Sequence, residues 1–282
     1  ELDTPTISPG RALHMAPMRG GFGAMIENLD VTPIDAGRGD ALRPALNRHG
    51  VLFYRPGPDA AVSDEQFIAL AESMGEILVY PYRVTDQDYA DKHLSRIDTD
   101  SASTNRLGTA LWHTDGTPEE CPPSAAMIGP VELPGHGGDT MFADMVAAWD
   151  ALSPRFQRML DGLGALHSTD KPARRSGEPA IYGKGAHFVH PAVLTDPATG
   201  RRMLYVNAHY TERLIGLGER ESATVLQMLY EHINTPEFHI RWEWQPHDIA
   251  IWEERLTQHR ACADFAGRRV MRRTAIKGDR PR

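Results

Sequence analysis

The chain has 282 residues, 41% hydrophobic and 24% charged, with a net charge of −8. These proportions are those of an ordinary globular protein, and the acidic balance argues against a nucleic-acid-binding surface, which needs concentrated positive charge. Two cysteines, Cys121 and Cys262, make no disulfide framework and read as packing residues, and Glu1–Pro5 lack the basic and apolar regions of a signal peptide. No window approaches the roughly 18 apolar residues of a membrane span, so a reducing, cytoplasmic setting without membrane contact is expected.

In chain order, Gly20–Gly23 form a turn into a short strand at Ala24–Ile26. Because the glycines precede the strand, they are no dinucleotide fingerprint. Ala41–Arg48 read as a helix stopped by Gly50, and Val51–Tyr54 as a buried strand. Ser63 caps a second helix running to about Ser73, with Gln66 in the capping-box position. Strands are expected at Ala125–Val131 and Thr140–Ala143, and short helices at Met145–Leu152 and Pro154–Leu163. Thr169–Gly185 is polar and basic, with Gly and Pro, and reads as a mobile loop. Arg202–Asn207 reads as a strand and Glu219–Ile233 as an amphipathic helix. Phe238–Trp244 alternates like a half-buried strand and turns through Gln245–Asp248 into Ile249–Trp252. Arg269–Ile276 is the last strand. Many short strands with helices outside them indicate a mainly β fold with flanking helices. Its core is a jelly-roll barrel with helical insertions, in one domain spanning residues 1–282.

The chemistry concentrates in Leu111-Trp112-His113-Thr114-Asp115. On a strand, residues i and i+2 share a face, so His113 and Asp115 can aim a nitrogen and an oxygen at one point. His259, far downstream, completes two histidines and a carboxylate. That set covers one face of an octahedral metal and leaves the other positions open. A chain with 13 histidines is also expected to contain about one His-x-Asp triplet by chance. Arg269, Met271 and Arg273 share one face of the last strand, and Arg268, Val270 and Arg272 the other. If one face lines the barrel, an arginine is buried there and needs a partner, which a carboxylate held by its planar fork would supply. A five-carbon diacid co-substrate carries one, and the plainer reading is a solvated edge strand. Thr140, after Gly137-Gly138-Asp139, can donate a hydroxyl to the same carboxylate. His167 and His209 have no assigned role, and Trp112 and Trp252 read as core.

These residues fall in order along motifs: Trp112-His113-Thr114-Asp115, Pro134–Thr140, His190-Pro191, Leu204–Asn207, Pro236–Trp242, Asp248–Trp252, Thr257-Gln258-His259, and Arg273 leading to Gly278–Pro281. So arranged, the chain resembles the TauD/TfdA family of Fe(II)- and 2-oxoglutarate-dependent dioxygenases from about Gly23 onward. The resemblance implies a double-stranded β-helix, cupin-like core, with Fe(II), 2-oxoglutarate and O2 as cofactors and co-substrates. It implies His113, Asp115 and His259 as iron ligands, Arg273 with Thr140 on the distal carboxylate of 2-oxoglutarate, and Arg269 nearer the rim. It also implies hydroxylation with release of succinate and CO2, and a homo-oligomer, dimer or tetramer. Desaturation or C–O and C–S cleavage would use the same constellation.

Positions that bind taurine in the namesake hold Tyr80, Arg83 and Thr109 here, which argues against taurine. Tyr80, Tyr82, Arg83, Thr109 and Tyr210 suit a small anionic or zwitterionic substrate, with Lys171, Arg174 and Arg175 closing over it. Asp115 is retained, which argues against halogenation. Glu253-Glu254 stand where family members often carry Asp-Asn, so the surroundings of His259 are expected to differ. A zinc hydrolase built on the same three ligands would leave Arg273 and Thr140 without a role. A non-catalytic ligand-binding barrel would bind without forming succinate.

Overall fold

The computed structural model describes residues 13–18, 20–31, 36–57, 60–79, 93–100, 110–171, 185–197 and 199–282. Its frame is a seven-stranded sheet in the order β1–β2–β3–β13–β5–β15–β4. These strands are β1 (Met15–Pro17), β2 (Ala24–Ile26), β3 (Val51–Tyr54), β4 (Ser95–Asp100), β5 (Ala125–Glu132), β13 (Ile249–Glu253) and β15 (Arg268–Ile276). Among the described residues, only β2 and β3 pair in parallel. Facing it is a three-stranded sheet, β12 (His239–Trp242), β6 (Thr140–Asp144) and β14 (Thr257–Ala261). Side-chain alternation makes the space between them. Val51, Phe53, Ala126, Ile128, Ala250, Trp252, Met271 and Ala275 point inward from the large sheet and meet Phe142, Ile240 and Trp242 from the small one. Phe53 stacks on Trp242 at 4.2 Å and meets Phe142 edge-on at 5.5 Å.

The alternate residues of the large sheet, among them Leu52, Met127, Ile251 and Ile276, pack under two helices, α1 (Ala36–His49) and α2 (Asp64–Met74). The capping box forms as expected: Gln66 N–H donates to Ser63 Oγ at 3.2 Å and Ser63 N–H to Gln66 Oε1 at 2.9 Å. Gly50, in the left-handed region (φ 74°), ends α1. That helix begins earlier than the sequence suggests and contains Pro44.

A third cluster joins α3 (Met145–Asp150), α4 (Pro154–Leu160) and α5 (Glu219–Ile233) to two smaller sheets. One is β11–β7–β8, from Thr211–Ile215, Gly164–Ser168 and His187–Pro191. The other is β9–β10, from Val193–Thr195 and Arg202–Leu204. Within the third cluster the rings of His167, His190 and Tyr205 lie 5.6–5.7 Å apart. His167 is fully buried, with Nδ1 3.2 Å from the Thr211 hydroxyl.

Three sequence expectations need correction. Leu111–Asp115 is not a strand: only His113 is paired, in an isolated bridge to His259, and the chain turns at Asp115. The alternative of a solvated edge strand at Arg269–Ile276 fails, because Arg272 is buried, as are Arg269 and Arg273. Arg272 lies over the Phe67 ring and pairs with Asp64 of α2 at 3.0 Å. Cys262 is buried, but Cys121 is exposed. Among the described residues no helix is long and apolar enough to cross a membrane.

Two predictions follow from buried titratable groups. Burial, reinforced by His190 and Lys171, holds the His167 imidazole well below its ordinary pKa of 6.5. The unfolded chain therefore takes up a proton that the folded chain refuses, so this contribution is complete above about pH 6.5 and is lost as pH falls through the folded value. The urea midpoint should fall from about pH 7.5 to about 5, and His167→Phe should flatten that slope; a parent-like slope would assign the sensitivity elsewhere. Arg272 has Nε and Nη2 buried without hydrogen-bond partners, whereas half-exposed Asp64 keeps Arg96. Arg272→Met should leave the thermal midpoint equal or raised, because a desolvated guanidinium is exchanged for apolar packing. A clear drop would show that the pair with Asp64 outweighs its desolvation.

Candidate metal centre and active site

Two reciprocal backbone hydrogen bonds build the site. His113 N–H donates to the His259 carbonyl at 3.1 Å, and His259 N–H to the His113 carbonyl at 2.9 Å. The Thr114 hydroxyl fastens the same segment to the Thr257 carbonyl at 3.0 Å. This pairing sets the two imidazoles side by side, ring centroids 4.3 Å apart. The turn after His113 then brings Asp115 round, with Oδ1 3.8 Å from His113 Nε2 and Oδ2 3.6 Å from His259 Nε2. One donor atom from each of the three residues lies within 4.8 Å of the others, and they are the metal-capable cluster found among the described residues. A cation ~2.1 Å from each nitrogen and oxygen fits such separations.

The surroundings prepare these donors. His113 Nδ1 lies 2.7 Å from the Leu111 carbonyl, an acceptor, so Nδ1 carries the hydrogen and Nε2 presents a lone pair. His259 packs against Trp252 at 4.7 Å and Phe142 at 6.4 Å. Burial, then neighbouring His113, holds its pKa well below 6.5, which keeps it neutral and able to ligate. Asp115 is held at both ends. Its backbone N–H donates to Glu254 Oε2 at 3.1 Å, and its Oδ2 accepts from Arg273 Nη2. Glu254 is fully buried, and burial together with the Asp115 charge pushes its carboxyl well above the usual range. Of the two glutamates, Glu254 thus acts on Asp115 rather than on His259. Glu253 turns elsewhere, accepting from Arg255 Nε and from the Arg255 and Leu256 backbone N–H groups.

The arginine beside Thr140 is Arg269, not Arg273. Arg273 touches Asp115 at the metal end. Arg269 is the one beside Thr140, with Nη2 3.3 Å from its hydroxyl and Nε donating to the Gly138 carbonyl at 2.7 Å. Gly137 and Gly138 both adopt left-handed backbone (φ 69° and 74°), and a Cβ on Gly138 would sit 3.0 Å from Arg269 Cδ. Trp244 Nε1 donates to the Thr140 hydroxyl at 3.0 Å and orients it. Arg269 is 4% exposed and has no carboxylate at ion-pair distance among the described residues. Burial pushes its pKa down to about 10. A buried cation without a protein counter-ion calls for an anionic ligand.

Of the expected substrate contacts, Tyr80, Tyr82, Arg83 and Thr109 lie outside the described residues, as do Arg174, Arg175 and most of Thr169–Gly185. Tyr210 is 3% exposed, set edge-on against His209 at 4.4 Å. His209 is the residue that approaches the triad, its ring 5.4 Å from that of His113. It lies in a turn whose sequence carries no periodic signal. Lys171 is held by the Thr211 carbonyl and lies 5.0 Å above the Tyr230 ring. A separate cleft of about 720 Å³, with Cys121, Leu194, Arg255 and Arg280 in its walls, includes none of the expected site residues. Its charges include the paired Glu253 and Arg255.

The profile of the taurine catabolism dioxygenase TauD, TfdA family matches residues 14–275. The chain is 30% identical to an alpha-ketoglutarate-dependent sulfate ester dioxygenase of Pseudomonas putida, over 95% of this chain and 91% of that one. Among solved structures, a taurine dioxygenase from Burkholderia xenovorans superposes with a TM-score of 0.80 at 29% identity, covering 96% of this chain and 91% of that one. AAD-2 in complex with Mn(II) and N-oxalylglycine superposes with a TM-score of 0.85 at 25% identity, covering 96% and 99%. With a family match over nearly its whole length, the same jelly-roll frame and a convergent His-Asp-His cluster, the chain belongs to the TauD/TfdA family of 2-oxoglutarate-dependent dioxygenases.

Proposed function

We propose that this protein hydroxylates an unactivated C–H bond of a small anionic or zwitterionic substrate, consuming O2 and 2-oxoglutarate and releasing succinate and CO2. The observation that carries the reading is Arg269: a desolvated guanidinium beside a hydroxyl, without a carboxylate at ion-pair distance among the described residues, on the same strand face as Arg273, which touches the metal-capable triad. A diacid that chelates at one end needs such a counter-charge at the other. His113, Asp115 and His259 would hold Fe(II), leaving open positions as the facial triad does. Bound iron supplies the oxidising chemistry, coupling decarboxylation of the keto acid to attack on the C–H bond. Arg269 and Thr140 bind the distal carboxylate, with Trp244 fixing the hydroxyl. Arg273 steadies Asp115 and stands ready for a carboxylate or substrate anion at the metal end. Trp252 and Phe142 keep water from the inner side.

An anionic substrate is supported by the sulfate-ester and taurine dioxygenases among its relatives. If the substrate is a sulfate ester, hydroxylation of the carbon bearing the ester oxygen gives a hemiacetal sulfate. That product collapses to an aldehyde and sulfate, so C–O cleavage needs no further catalytic group. Tyr80, Tyr82, Arg83, Thr109 and Tyr210 remain the proposed substrate contacts. The reading also places one catalytic domain over residues 1–282, in a cytoplasmic dimer or tetramer.

The test is an anaerobic titration with Fe(II) and then 2-oxoglutarate, following the weak visible band of a metal-chelated keto acid. The parent should show the band. Asp115→Ala should lose iron binding and succinate formation while keeping the parent's circular dichroism. Arg269→Ala should keep iron binding but need roughly 10- to 100-fold more 2-oxoglutarate, as expected when a charge-assisted contact worth ~1.5–3 kcal/mol is removed. Iron bound without a band, or an unchanged 2-oxoglutarate requirement in Arg269→Ala, would overturn the assignment.

A further inference from the structure

We propose that His209 is a substrate-contacting residue that hydrogen-bonds an oxyanion headgroup, a sulfate, sulfonate or carboxylate, on the open side of the triad; the inference rests on the dioxygenase reading above. The first support is that its position is built. His209 occupies the Ala208–Tyr210 turn between β10 and β11. Asn207 clamps this turn: its Oδ1 accepts from Tyr210 N–H at 2.7 Å, and its own N–H donates to Thr211 Oγ1 at 2.8 Å. Its Nδ2 donates to Thr117 Oγ1 at 3.3 Å. Asn207, Thr211 and Thr117 are all buried, so the turn has little freedom to move. Behind the imidazole stands the buried Tyr210 ring, edge-on at 4.4 Å.

The second support is direction. Buried Trp252 and Phe142 close the inner side of the triad against His259. His209 is half-buried rather than buried and comes within 5.4 Å of the His113 ring, so it marks the side from which a molecule can enter. The third support is chemistry. The convergent donor set comprises His113, Asp115 and His259 and does not include His209, so its imidazole is placed beside the metal position rather than on it. An imidazole offers an N–H donor in either tautomer. A substrate that brings a C–H bond to the metal from the open side passes its headgroup along this ring. Arg273 supplies positive charge at the Asp115 corner of the triad. Two donors set apart suit a headgroup with several acceptor oxygens, and a hydrogen bond from the histidine would fix which carbon faces the metal.

Calorimetry on protein loaded with Mn(II) and N-oxalylglycine tests this without turnover, titrating hexyl sulfate, hexane-1-sulfonate and hexanoate separately. The parent should bind at least one of the three, and which one identifies the headgroup. His209→Ala should weaken that binding by about tenfold or more, and His209→Gln, which keeps an N–H donor, should fall between the two. The N-oxalylglycine affinity should stay within about twofold of the parent in both variants. Unchanged anion binding in His209→Ala would overturn the proposal. So would N-oxalylglycine binding that falls in step, which would place His209 on the co-substrate side, or a parent that binds none of the three anions. A parent that fails to bind N-oxalylglycine would instead overturn the dioxygenase reading, and the anion titration of the Mn(II)-loaded protein would then judge His209 by itself.

Discussion

The reciprocal hydrogen bonds between His113 and His259 are the constraint on which the site depends. Side-chain ligands on flexible tethers would lose much of their affinity to ordering entropy. Here the two imidazoles are set by main-chain pairing, one from an irregular segment and one from β14 in the small sheet. Asp115 needs no strand of its own, because its backbone N–H is anchored on Glu254 and its carboxylate on Arg273. Both anchors belong to the large-sheet side, Arg273 to β15 and Glu254 to the residue following β13. The donor cluster therefore forms only where the two sheets face each other.

The second constraint is the cost of buried charge. β15 carries Arg269, Arg272 and Arg273, all nearly inaccessible, and each meets a different solution. Arg273 is paired with a carboxylate of the donor cluster. Arg272, on the opposite face, leans on Phe67 and the partly exposed Asp64. Arg269 has a carbonyl and a hydroxyl but no protein counter-ion among the described residues. Pairing with Asp64 and the Phe67 ring offsets part of the desolvation of Arg272, whereas the charge at Arg269, without a carboxylate at ion-pair distance among the described residues, is what a ligand can use. Burial works the same way on His259, whose neutral form is the one that can bind a metal.

Much of this was legible from residue order. Short apolar runs identify β3 and β13, period-two alternation identifies β12, and Ser63 with Gln66 marks the start of α2. Two of the strands that escape are polar ones. β4 (SRIDTD) is an edge strand whose aspartates are exposed, and β14 (TQHRA) spends its side chains on the site and on hydrogen bonds rather than on apolar packing. Neither presents the apolar rhythm by which a strand is recognised. Which of Arg269 and Arg273 stands beside Thr140 was equally beyond reach, since both share one face and differ only in which remote residue each meets.

The sequence alone determined the jelly-roll class, the three donor residues and the presence of arginines inside the barrel. The class and the shared face of the arginines follow from local periodicity, whereas the three donor residues rest on the ordered motifs that carry the family resemblance. Tertiary structure decided the rest: that His113 is held by a single bridge, that Glu254 serves Asp115, that Arg269 rather than Arg273 stands with Thr140, and that His209 comes beside the triad. Each of these is a contact between segments remote in the chain. Such contacts are set by sheet register and by the packing of one sheet on another, which no local pattern encodes.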